Sequence, residues 1–418
     1  MAKFVIQGGK KLEGEIAING AKNGAFPLIA AAVLTGQDIT LHNIPDITDI
    51  HNILEIVRGL GVSVDFKNHT VKLHAGQLKS GELNREISKR MRASILLTAP
   101  VLARLGQVQF PHPGGCVIGE RPIDLFLYGY QRMGALEKVS DTFSLTMGRP
   151  KATTFVFPTI STTTTMCLMM LATVAEGTTR LVNAALEPEV TMLAEFLNQS
   201  GAKITGAGTA TIIIEGISRY PDKKMEFMNI PDRVETGSFL FLAAATKSHL
   251  KLTGTAPEHQ DVVLDTLERM GVPVRATGNT IEIEPAKTLK PITIKTHEYP
   301  GFATDLQSPL IIALTQADGT SIVHETIFEG RLFWLEDLQR MGARAMILDT
   351  QRASIEGPSP LVGKELRSPD LRAGMAYIIA GLAAQGTTTI HDVEIIDRGY
   401  ERIEERLQAV GADIKRVQ

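Results

Sequence analysis

One cysteine stands in a segment whose composition is suited to chemistry. Residues 111–122 read PHPGGCVIGERP, with four glycine or proline residues before Cys116. Such a composition predicts an exposed loop. A thiol near the charge of Arg121 can have the tuned pKa that an acid or a nucleophile needs, but an unreactive loop cysteine would have the same surroundings. Cys167, by contrast, lies in the apolar segment TTTTMCLMML and is expected to be an inert core residue.

Polar and basic residues recur just before or at the start of six apolar helical segments. They are Lys22 and Asn23; Arg92; Ser161 to Thr163; Asp232, Arg233 and Glu235; Thr304 and Asp305; and Asp370 and Arg372. Helix N-termini carry unpaired N–H groups and partial positive charge, so a group of them suits an anion. Any single Asp, Ser or Thr of this set can equally be a helix cap. The argument therefore rests on the position that they share in six segments.

Several kinds of site are excluded by the absence of their motifs. The sequence has no G-x-x-x-x-G-K-[ST] phosphate loop, and no G-x-G-x-x-G follows a first strand. Neither H-E-x-x-H nor paired-cysteine spacing is present, so we expect no metal site and no cofactor. An anion site in this chain must then depend on arginine and lysine.

The composition restricts the class of partner. The 418 residues carry a formal net charge of −3, without the basic excess of a nucleic-acid-binding protein. The N-terminal sequence lacks the apolar core of a secretory signal, and no apolar stretch approaches the roughly 20 residues that span a bilayer. Two cysteines form no disulfide framework. We expect a cytoplasmic protein with no nucleic-acid or membrane partner, and the oligomeric state stays open.

One sequence pattern occurs six times along the chain. It is a hydrophobic helix end followed by a glycine and a short alternating strand, as in LERMGVPVR. The separations between successive glycines are 73, 67, 70, 71 and 69 residues. Each glycine is placed where a helix C-cap needs a positive φ. The glycines are Gly61, Gly134, Gly201, Gly271, Gly342 and Gly411.

Each repeat also contains an earlier helical segment, such as GAFPLIAAAVLTG, that is small or apolar nearly all round. Such helices are expected to be buried. With the β-rich stretches that follow, each unit reads βαβαββ. The chain is too long for one ordinary core, so we predict an α/β fold of two domains with three units each. A continuous solenoid is the weaker alternative, because solenoid repeats are shorter, at roughly 20–45 residues.

Nine stretches of the sequence together match the pattern of one known family in composition and in order. They are NGAKNGAFPLIAA, KRMRASILLTAPVLARLGQ, PGGCVIGERPIDL, LEPEV, PDRVETGSF, FATDLQSP, HETIFEGRLF, SPDLRAGMAYIIAGLAAQGTT and IDRGYERIEERLQAVGA. In these stretches the sequence resembles the UDP-N-acetylglucosamine 1-carboxyvinyltransferases along essentially its whole length, and the cysteine loop, the AKN motif and the DRGYERI motif are together highly specific.

The resemblance implies a two-domain inside-out α/β barrel with six βαβαββ repeats, three per domain, around buried helices. Residues 1–21 with 230–418 would form the domain with the C-terminal three repeats. Residues 22–229 would form the other, with the first three repeats and the Cys116 loop. This agrees with the repeat pattern.

The resemblance also implies a reaction, the first committed step of bacterial peptidoglycan synthesis. The 3′-hydroxyl of UDP-N-acetylglucosamine adds to C2 of phosphoenolpyruvate while C3 is protonated, and the tetrahedral intermediate then loses phosphate. Cys116 is the expected donor of the C3 proton, or a covalent trap for phosphoenolpyruvate. Asp305 is expected to take the hydroxyl proton, and Lys22 and Arg398 complete the implied catalytic set.

Two sets of binding residues follow from the same matched positions. The set implied for phosphoenolpyruvate is Lys22, Asn23, Arg121, Arg331, Arg372 and Arg398. The set implied for UDP-N-acetylglucosamine is Arg92, Arg121, Pro122, Ile123, Asp124, Leu125, Ser161, Thr162, Thr304, Asp305 and Ile327.

The sequence departs from the family pattern near the implied nucleotide-sugar positions. Phe126 stands where a histidine is common, and Thr159 and Thr163 stand where a lysine and a glycine are usual. Weaker binding of the UDP-sugar and a different uridine acceptor are both compatible with these changes.

Three alternatives remain at this stage. Transfer to shikimate 3-phosphate is disfavoured by the Cys116 loop, which that branch is not expected to carry. Transfer to another uridine nucleotide is suggested only by Phe126 and Thr159. A catalytically silent binding or scaffold protein would have no need for an acid, a base and a set of cations together.

The resemblance also implies that a cysteine in this role is inactivated by the epoxide antibiotic fosfomycin. Intact-mass spectrometry of the treated protein should show a single adduct, and peptide mapping should place it on Cys116 and not on Cys167. An unmodified Cys116 under turnover conditions would count against its role as the acid.

Overall fold

The computed structural model describes residues 2–114, 122–139 and 141–418. The described β-strands are β1 (Lys3–Gln7), β2 (Glu13–Ala17), β3 (Asp38–His42), β4 (Ser63–Lys67), β5 (Thr70–His74), β6 (Gln107–Phe110), β7 (Leu136–Val139), β8 (Phe143–Thr146), β9 (Thr154–Val156), β10 (Thr178–Val182), β11 (Lys203–Thr205), β12 (Thr211–Glu215), β13 (Lys224–Met228), β14 (His249–Thr253), β15 (Val274–Thr277), β16 (Thr280–Ile283), β17 (Thr293–Lys295), β18 (Gly319–His324), β19 (Arg344–Ile347), β20 (Arg352–Gly357), β21 (Glu365–Arg367), β22 (Thr387–His391) and β23 (Asp413–Val417).

The α-helices alternate with these strands. They are α1 (Lys22–Thr35), α2 (Thr48–Gly59), α3 (Arg85–Ser88), α4 (Thr98–Leu105), α5 (Asp124–Arg132), α6 (Thr162–Ala172), α7 (Pro188–Ser200), α8 (Arg233–Thr246), α9 (Asp261–Arg269), α10 (Gln307–Leu314), α11 (Leu335–Arg340), α12 (Leu371–Ala383) and α13 (Ile403–Ala409). Short 3-10 helices cover Arg92–Leu97, Pro257–His259, Thr304–Leu306 and Val393–Arg398.

The strands form six sheets among the described residues, one for each predicted repeat. In the four-stranded sheets, one edge strand runs parallel to its neighbour and the other pairs are antiparallel, as in the order β17-β18-β20-β19. A parallel pair needs a crossover, and α10 supplies it between β17 and β18. The βαβαββ repeat is therefore confirmed.

The N-terminal strands belong to sheets of the C-terminal repeats. Strand β1 lies between β22 and β23, and β2 forms the parallel edge beside β14. The corresponding edge beside β3 is supplied by β13, which comes near the end of the third repeat. The repeats are thus closed by strands that are distant in sequence.

The chain divides into two compact units, each with its own apolar core. One contains residues 2–19 and 231–418, and the other residues 20–114 and 122–230. The domain boundaries given above, at residues 21/22 and 229/230, stay a prediction. The compact units divide at residues 19/20 and 230/231.

Three central helices contact one another within each unit. In one unit they are α1, α4 and α6, and in the other α8, α10 and α12. The side chains of α1, α6, α8, α10 and α12 are buried almost all round, as their small and apolar sequences predict. In α4, residues 98–102 are buried. None of the helices in the described ranges has the length and apolar character that crossing a bilayer requires.

The six repeat glycines all follow the outer helices in the left-handed region. Their φ angles lie between 79° and 115°. The predicted C-caps are thereby confirmed, since only glycine adopts this backbone without strain.

Replacing one of these glycines should cost stability through backbone conformation alone. An added Cβ at Gly134, where φ is 103°, would meet only Lys151 side-chain atoms at 3.8 Å. We expect Gly134→Ala to lower the free energy of unfolding by about 1 kcal/mol, measured by denaturant titration.

The matched control is Gly59→Ala, in the same unit. Gly59 is the exposed last residue of α2, and no atom lies within 4 Å of its added Cβ. This change should leave stability unchanged or raise it. Equal losses in both variants would show that the backbone explanation is wrong.

Candidate active site

The predicted polar residues do open the central helices. Lys22 is the first residue of α1, Arg92 and Thr304 each begin a 3-10 helix that leads into α4 or α10, and Arg233 is the first residue of α8. The sequence pattern therefore placed these side chains at the correct ends of their elements.

Three of the candidates are helix caps. The Asp232 carboxylate accepts hydrogen bonds from two backbone N–H groups of α8 at 2.8 and 3.0 Å. Asp370 does the same for α12 at 2.7 and 3.1 Å. Ser161 accepts from the N–H of Thr164 at 3.4 Å. These three residues therefore act as helix caps, which is the alternative that the sequence left open for them.

Asp305 lies between two arginine side chains in the unit that contains residues 231–418. Its Oδ1 is 2.9 Å from Nη1 of Arg331, and its Oδ2 is 2.9 Å from Nη2 of Arg372. Both guanidinium groups are buried, with 5% and 6% of Arg331 and Arg372 exposed, whereas 27% of the Asp305 side chain is accessible. The carboxylate is thus held by two fixed cations and still has one open side.

The charges of this cluster control its protonation. Burial alone would raise the pKa of Asp305, but the positive charges of Arg372 and Arg331 and their hydrogen bonds outweigh it and hold that pKa well below its usual range. For Arg372, burial disfavours the charged form, and Asp305 and Tyr400 reverse this, so its pKa is raised. Asp305 and Arg372 are therefore both charged at neutral pH.

Arg372 has a second support. Its Nη1 donates to the hydroxyl of Tyr400 at 3.3 Å, and this hydroxyl lies 2.9 Å from Oγ of Ser238 on α8. Tyr400 is completely buried, and its ring centroid is 5.8 Å from the guanidinium carbon. The arginine is thereby held by a second residue as well as by Asp305.

Thr304 and Ile327 meet a buried carboxylate. Glu325 Oε2 accepts from the hydroxyl of Thr304 at 2.8 Å, and its Oε1 accepts from the backbone N–H of Ile327 at 2.8 Å. The hydroxyl of Thr304 also accepts from Arg331 at 2.7 Å. Arg398, the half-buried last residue of its 3-10 helix, belongs to the same unit.

Lys22 is a buried cation of the other unit, which contains residues 20–114, 122–139 and 141–230. Its Nζ is 2.7 Å from Oδ2 of Asp49, and 10% of the lysine side chain is exposed. The ring of Phe26, one helical turn further on, lies 5.8 Å from the ammonium group. Asn23, the next residue of α1, is exposed.

A hydrogen-bonded loop fixes the start of α1. The buried side chain of Asn229 donates to the carbonyl groups of Ala21 and Asn43 at 2.9 and 3.0 Å. The N–H of Ala21 in turn donates to the carbonyl of Ile230 at 2.7 Å. These bonds set the direction in which Lys22 leaves the backbone.

The residues implied for the nucleotide sugar occupy different environments. Arg92 donates to the carbonyl of Pro122 at 2.9 Å, and the hydroxyl of Thr162 donates to Glu187 at 2.8 Å. Asp124 is exposed, Leu125 is half-buried, and the side chain of Ile123 belongs to the core with 2% exposed.

The central part of the cysteine loop is not among the described residues. Cys116 and Arg121 lie outside them. Of this loop, the structure describes residues 111–114, in which Pro111 and Pro113 are buried and His112 is exposed. Cys167 is completely buried, as predicted, and burial raises the pKa of its thiol to about 12.

The three departures from the family pattern differ in their surroundings. Phe126 is 4% exposed and packs in the core of its unit, where an apolar ring is favoured. Thr159 is exposed and Thr163 is half-buried. Only the two threonines therefore change the accessible surface directly.

Sequence reasoning assigned no role to four residues that hold the candidate side chains in place. They are Asp49, Glu187, Glu325 and Tyr400. Glu187, Glu325 and Tyr400 lie in the matched segments LEPEV, HETIFEGRLF and IDRGYERIEERLQAVGA, so a signal was available. Asp49 lies in no quoted motif, and only the fold brings it to Lys22.

One group of side chains has the spacing of metal ligands, although the sequence predicts no metal site. The ligand atoms of His249, Glu282 and Glu284 lie within 4.8 Å of one another among the described residues. His249 Nε2 is 3.0 and 3.5 Å from the two carboxylates. Partly exposed ion pairs of this kind are common on sheet surfaces, and they suffice to explain the group.

Comparison with known proteins defines the class of this fold. The model of the EPSP synthase (3-phosphoshikimate 1-carboxyvinyltransferase) family matches residues 6–407. The enolpyruvyl transferase NikO from Streptomyces tendae superposes with a TM-score of 0.90 at 25% identity, covering 100% of this chain and 99% of that one. EPSP synthase from Acinetobacter baumannii superposes with a TM-score of 0.74 at 20% identity over the full length of both chains. The predicted two-domain α/β class is confirmed, and it is that of the enolpyruvyl transferases.

Curated relatives narrow the class to one branch. The UDP-N-acetylglucosamine 1-carboxyvinyltransferase of a Nitratiruptor species is 41% identical over 99% of this chain and 98% of its own length. UDP-N-acetylglucosamine 1-carboxyvinyltransferase 2 of Carboxydothermus hydrogenoformans is 42% identical, with both chains fully covered. The chain belongs to the UDP-N-acetylglucosamine 1-carboxyvinyltransferase family.

The ion pairs of Asp305 should contribute measurably to stability. Because the pKa of Asp305 is lower in the folded chain than in the unfolded chain, this contribution is present above the ordinary carboxyl range and is lost as the pH falls through the folded-state value. We expect Asp305→Asn to lower the free energy of unfolding by about 3 kcal/mol at neutral pH, because two buried arginines lose their counter-charge. The difference should shrink in acid.

Denaturant titrations at several pH values would measure this effect. Asp265→Asn serves as the control, because Asp265 pairs with Arg269 at 3.5 Å with both side chains exposed, and such pairs contribute little. A loss that is the same for both variants, or that does not depend on pH, would contradict the account.

Proposed function

We propose that the protein transfers the enolpyruvyl group of phosphoenolpyruvate to the 3′-hydroxyl of UDP-N-acetylglucosamine and releases phosphate. The observation that carries this proposal is the full-length similarity, at 41–42% identity, to relatives named for that reaction. The geometry around Asp305 supports it, because the site combines a carboxylate that is kept ionised with several fixed cations.

Asp305 is the proposed acceptor of the hydroxyl proton. A carboxylate with a strongly lowered pKa is a weak base, so the two arginines must loosen their hold before it can act. An arriving enol phosphate competes for the same guanidinium groups. Sharing Arg331 and Arg372 with the substrate would raise the pKa of Asp305 toward its ordinary value. Substrate binding would thereby activate the base.

The proposed phosphoenolpyruvate site uses the remaining donors of these cations. Each guanidinium group carries five N–H donors, and the contacts of Arg331 and Arg372 with Asp305, Thr304 and Tyr400 leave donors over. Nε of Arg331 is buried without a hydrogen-bond partner among the described residues. We assign Arg372 and Arg398 to the carboxylate, and Lys22, Arg121 and Arg398 to the phosphate. Asn23 and Arg331 complete the set.

The acid must be a different group from the base, because both act in the addition step. Cys116 is the proposed donor of the proton to C3, or a covalent trap for phosphoenolpyruvate. The fixed cations would neutralise the negative charge of the substrate's phosphate and carboxylate groups and, later, of the departing phosphate. Lys22 suits this role because Asp49 and the start of α1 hold its ammonium group in place.

Most residues of the proposed nucleotide-sugar site begin helices or precede them, and Ile327 lies in the turn after β18. Arg92, Arg121 and Thr304 offer donors, and Pro122 and Leu125 offer apolar surface. Ile123, which is buried, can take part only through its backbone or by supporting its neighbours. The full set is Arg92, Arg121, Pro122, Ile123, Asp124, Leu125, Ser161, Thr162, Thr304, Asp305 and Ile327.

Two finer assignments accompany the reaction. We propose that the enzyme acts in the cytoplasm, because a catalytic thiol needs a reducing compartment. We also propose that both partners are small molecules, phosphoenolpyruvate and the nucleotide sugar. The oligomeric state stays open.

Phosphate release from phosphoenolpyruvate tests the proposal. Wild-type protein should release phosphate only when UDP-N-acetylglucosamine is present, and Cys116→Ala should lose at least about 100-fold in rate, because general acid catalysis contributes about 10²–10⁴-fold. Cys167→Ala, which removes the other thiol, should retain the reaction.

The same assay tests the alternative acceptors, shikimate 3-phosphate and other uridine nucleotides. Release that requires shikimate 3-phosphate or a different uridine nucleotide would keep the enzyme class and overturn the acceptor. No turnover with any acceptor would favour a silent binding protein.

A further inference from the structure

The buried carboxylate of Glu325 lies next to the Asp305 cluster, and its hydrogen bonds come from hydroxyl and backbone N–H groups. Glu325 follows directly after β18 and is completely buried. A buried charge of this kind is tolerated only when its oxygen atoms are fully hydrogen-bonded. The donors that satisfy it therefore show what it positions.

Glu325 accepts four hydrogen bonds from three segments. Its Oε1 accepts from the hydroxyl of Thr296 at 3.0 Å and from the N–H groups of Ile327 and Phe328 at 2.8 and 3.2 Å. Its Oε2 accepts from the hydroxyl of Thr304 at 2.8 Å. The carboxylate thus joins the end of β17, the turn after β18 and the start of the 3-10 helix that contains Asp305.

The chemistry of these groups fixes the direction of each bond. An ionised carboxylate only accepts, so the hydroxyl proton of Thr304 must point toward Glu325. The lone pairs of that hydroxyl are then directed elsewhere, and one accepts from Nη1 of Arg331 at 2.7 Å. The same Nη1 donates to Oδ1 of Asp305 at 2.9 Å. Glu325, Thr304 and Arg331 thus form a directed chain that ends at Asp305.

We propose that Glu325 is a positioning residue for the transfer reaction, acting through the hydroxyl of Thr304 to hold Arg331 against Asp305. This inference rests on the proposed function and deepens it. Glu325 itself touches neither substrate in this account. Its effect is to keep the Thr304 hydroxyl an acceptor for the guanidinium group, so that Arg331 keeps the orientation that both Asp305 and an anionic substrate require.

Glu325→Gln separates this role from simple packing. The amide has the same shape, but one of its acceptor oxygens becomes a donor nitrogen. Two backbone N–H groups face the Oε1 position, so the amide nitrogen must face Thr304. The Thr304 hydroxyl then has to accept a hydrogen bond from the amide nitrogen. Arg331 therefore has to share this acceptor with the amide. Because small displacements of a catalytic group can cost about 100-fold, we expect kcat to fall about 10- to 100-fold.

A double-mutant cycle identifies the route of the effect. Thr304→Val removes the hydroxyl and keeps the shape of the side chain. If Glu325 acts through that hydroxyl, the double variant should be no slower than the slower single variant. Losses that multiply in the double variant would overturn the proposal. The measurement is phosphate release at saturating phosphoenolpyruvate and UDP-N-acetylglucosamine.

Two further variants control for structure. Thr304→Ser keeps the hydroxyl, so its kcat should exceed that of Thr304→Val. Ser321→Ala removes a completely buried hydroxyl of β18 that accepts from the N–H of Ile292 at 3.1 Å. It should lower thermal stability without changing kcat. A similar loss of kcat in Ser321→Ala would attribute the Glu325 effect to general loosening of this sheet and overturn the proposal.

The activity of the wild-type protein separates a failure of the proposed function from a failure of the positioning role of Glu325. Wild-type protein that is silent with UDP-N-acetylglucosamine contradicts the proposed function, whereas active wild type with an unimpaired Glu325→Gln variant contradicts only the positioning role. If Glu325→Gln does not fold, the comparison of Thr304→Val with Thr304→Ser decides the matter, because both leave the buried carboxylate intact. Equal kcat values in these two variants would overturn the proposal.

Discussion

The ion pairs of Asp305 with Arg331 and Arg372 are the constraint on which the site depends. Each guanidinium group is nearly removed from water, and such burial is costly unless an opposite charge and good hydrogen bonds compensate for it. Asp305 supplies that charge to both at 2.9 Å. Tyr400 and Thr304 then satisfy further donors. The arrangement keeps two cations rigid, and it keeps the Asp305 carboxylate ionised.

The repeated fold makes this cluster possible. Helices that are apolar all round are buried in the middle of a unit. Their polar first residues therefore lie close to one another where these helices begin. Asp305 precedes α10, Arg372 lies in the first turn of α12, and Ser238 lies near the start of α8. The other unit follows the same rule with Lys22 at the start of α1.

Much of this organisation could be predicted from the sequence, because periodicity and glycine spacing are local signals. The six units, the buried helices and the C-capping glycines followed from them, and so did the helix-start positions of Lys22, Arg92, Thr304 and Asp370. The partners of these residues could not be predicted, since Asp49 reaches Lys22 and Arg331 reaches Asp305 only through tertiary packing. Caps and functional groups were also indistinguishable, because Asp232 and Asp305 both precede an apolar helical segment in the sequence and differ in their tertiary neighbours. The roles of the site residues stay proposals.

The most direct test of the account is the structure of the reaction product. Nuclear magnetic resonance of a mixture of enzyme, phosphoenolpyruvate and UDP-N-acetylglucosamine should show vinyl protons on a product whose enol ether is attached to the 3′-oxygen of the sugar, with one equivalent of inorganic phosphate. In deuterated water, the vinyl position should gain deuterium, because C3 is protonated and deprotonated during addition and elimination. An unchanged nucleotide sugar, or an enolpyruvyl group on a different acceptor or oxygen, would contradict the central claim.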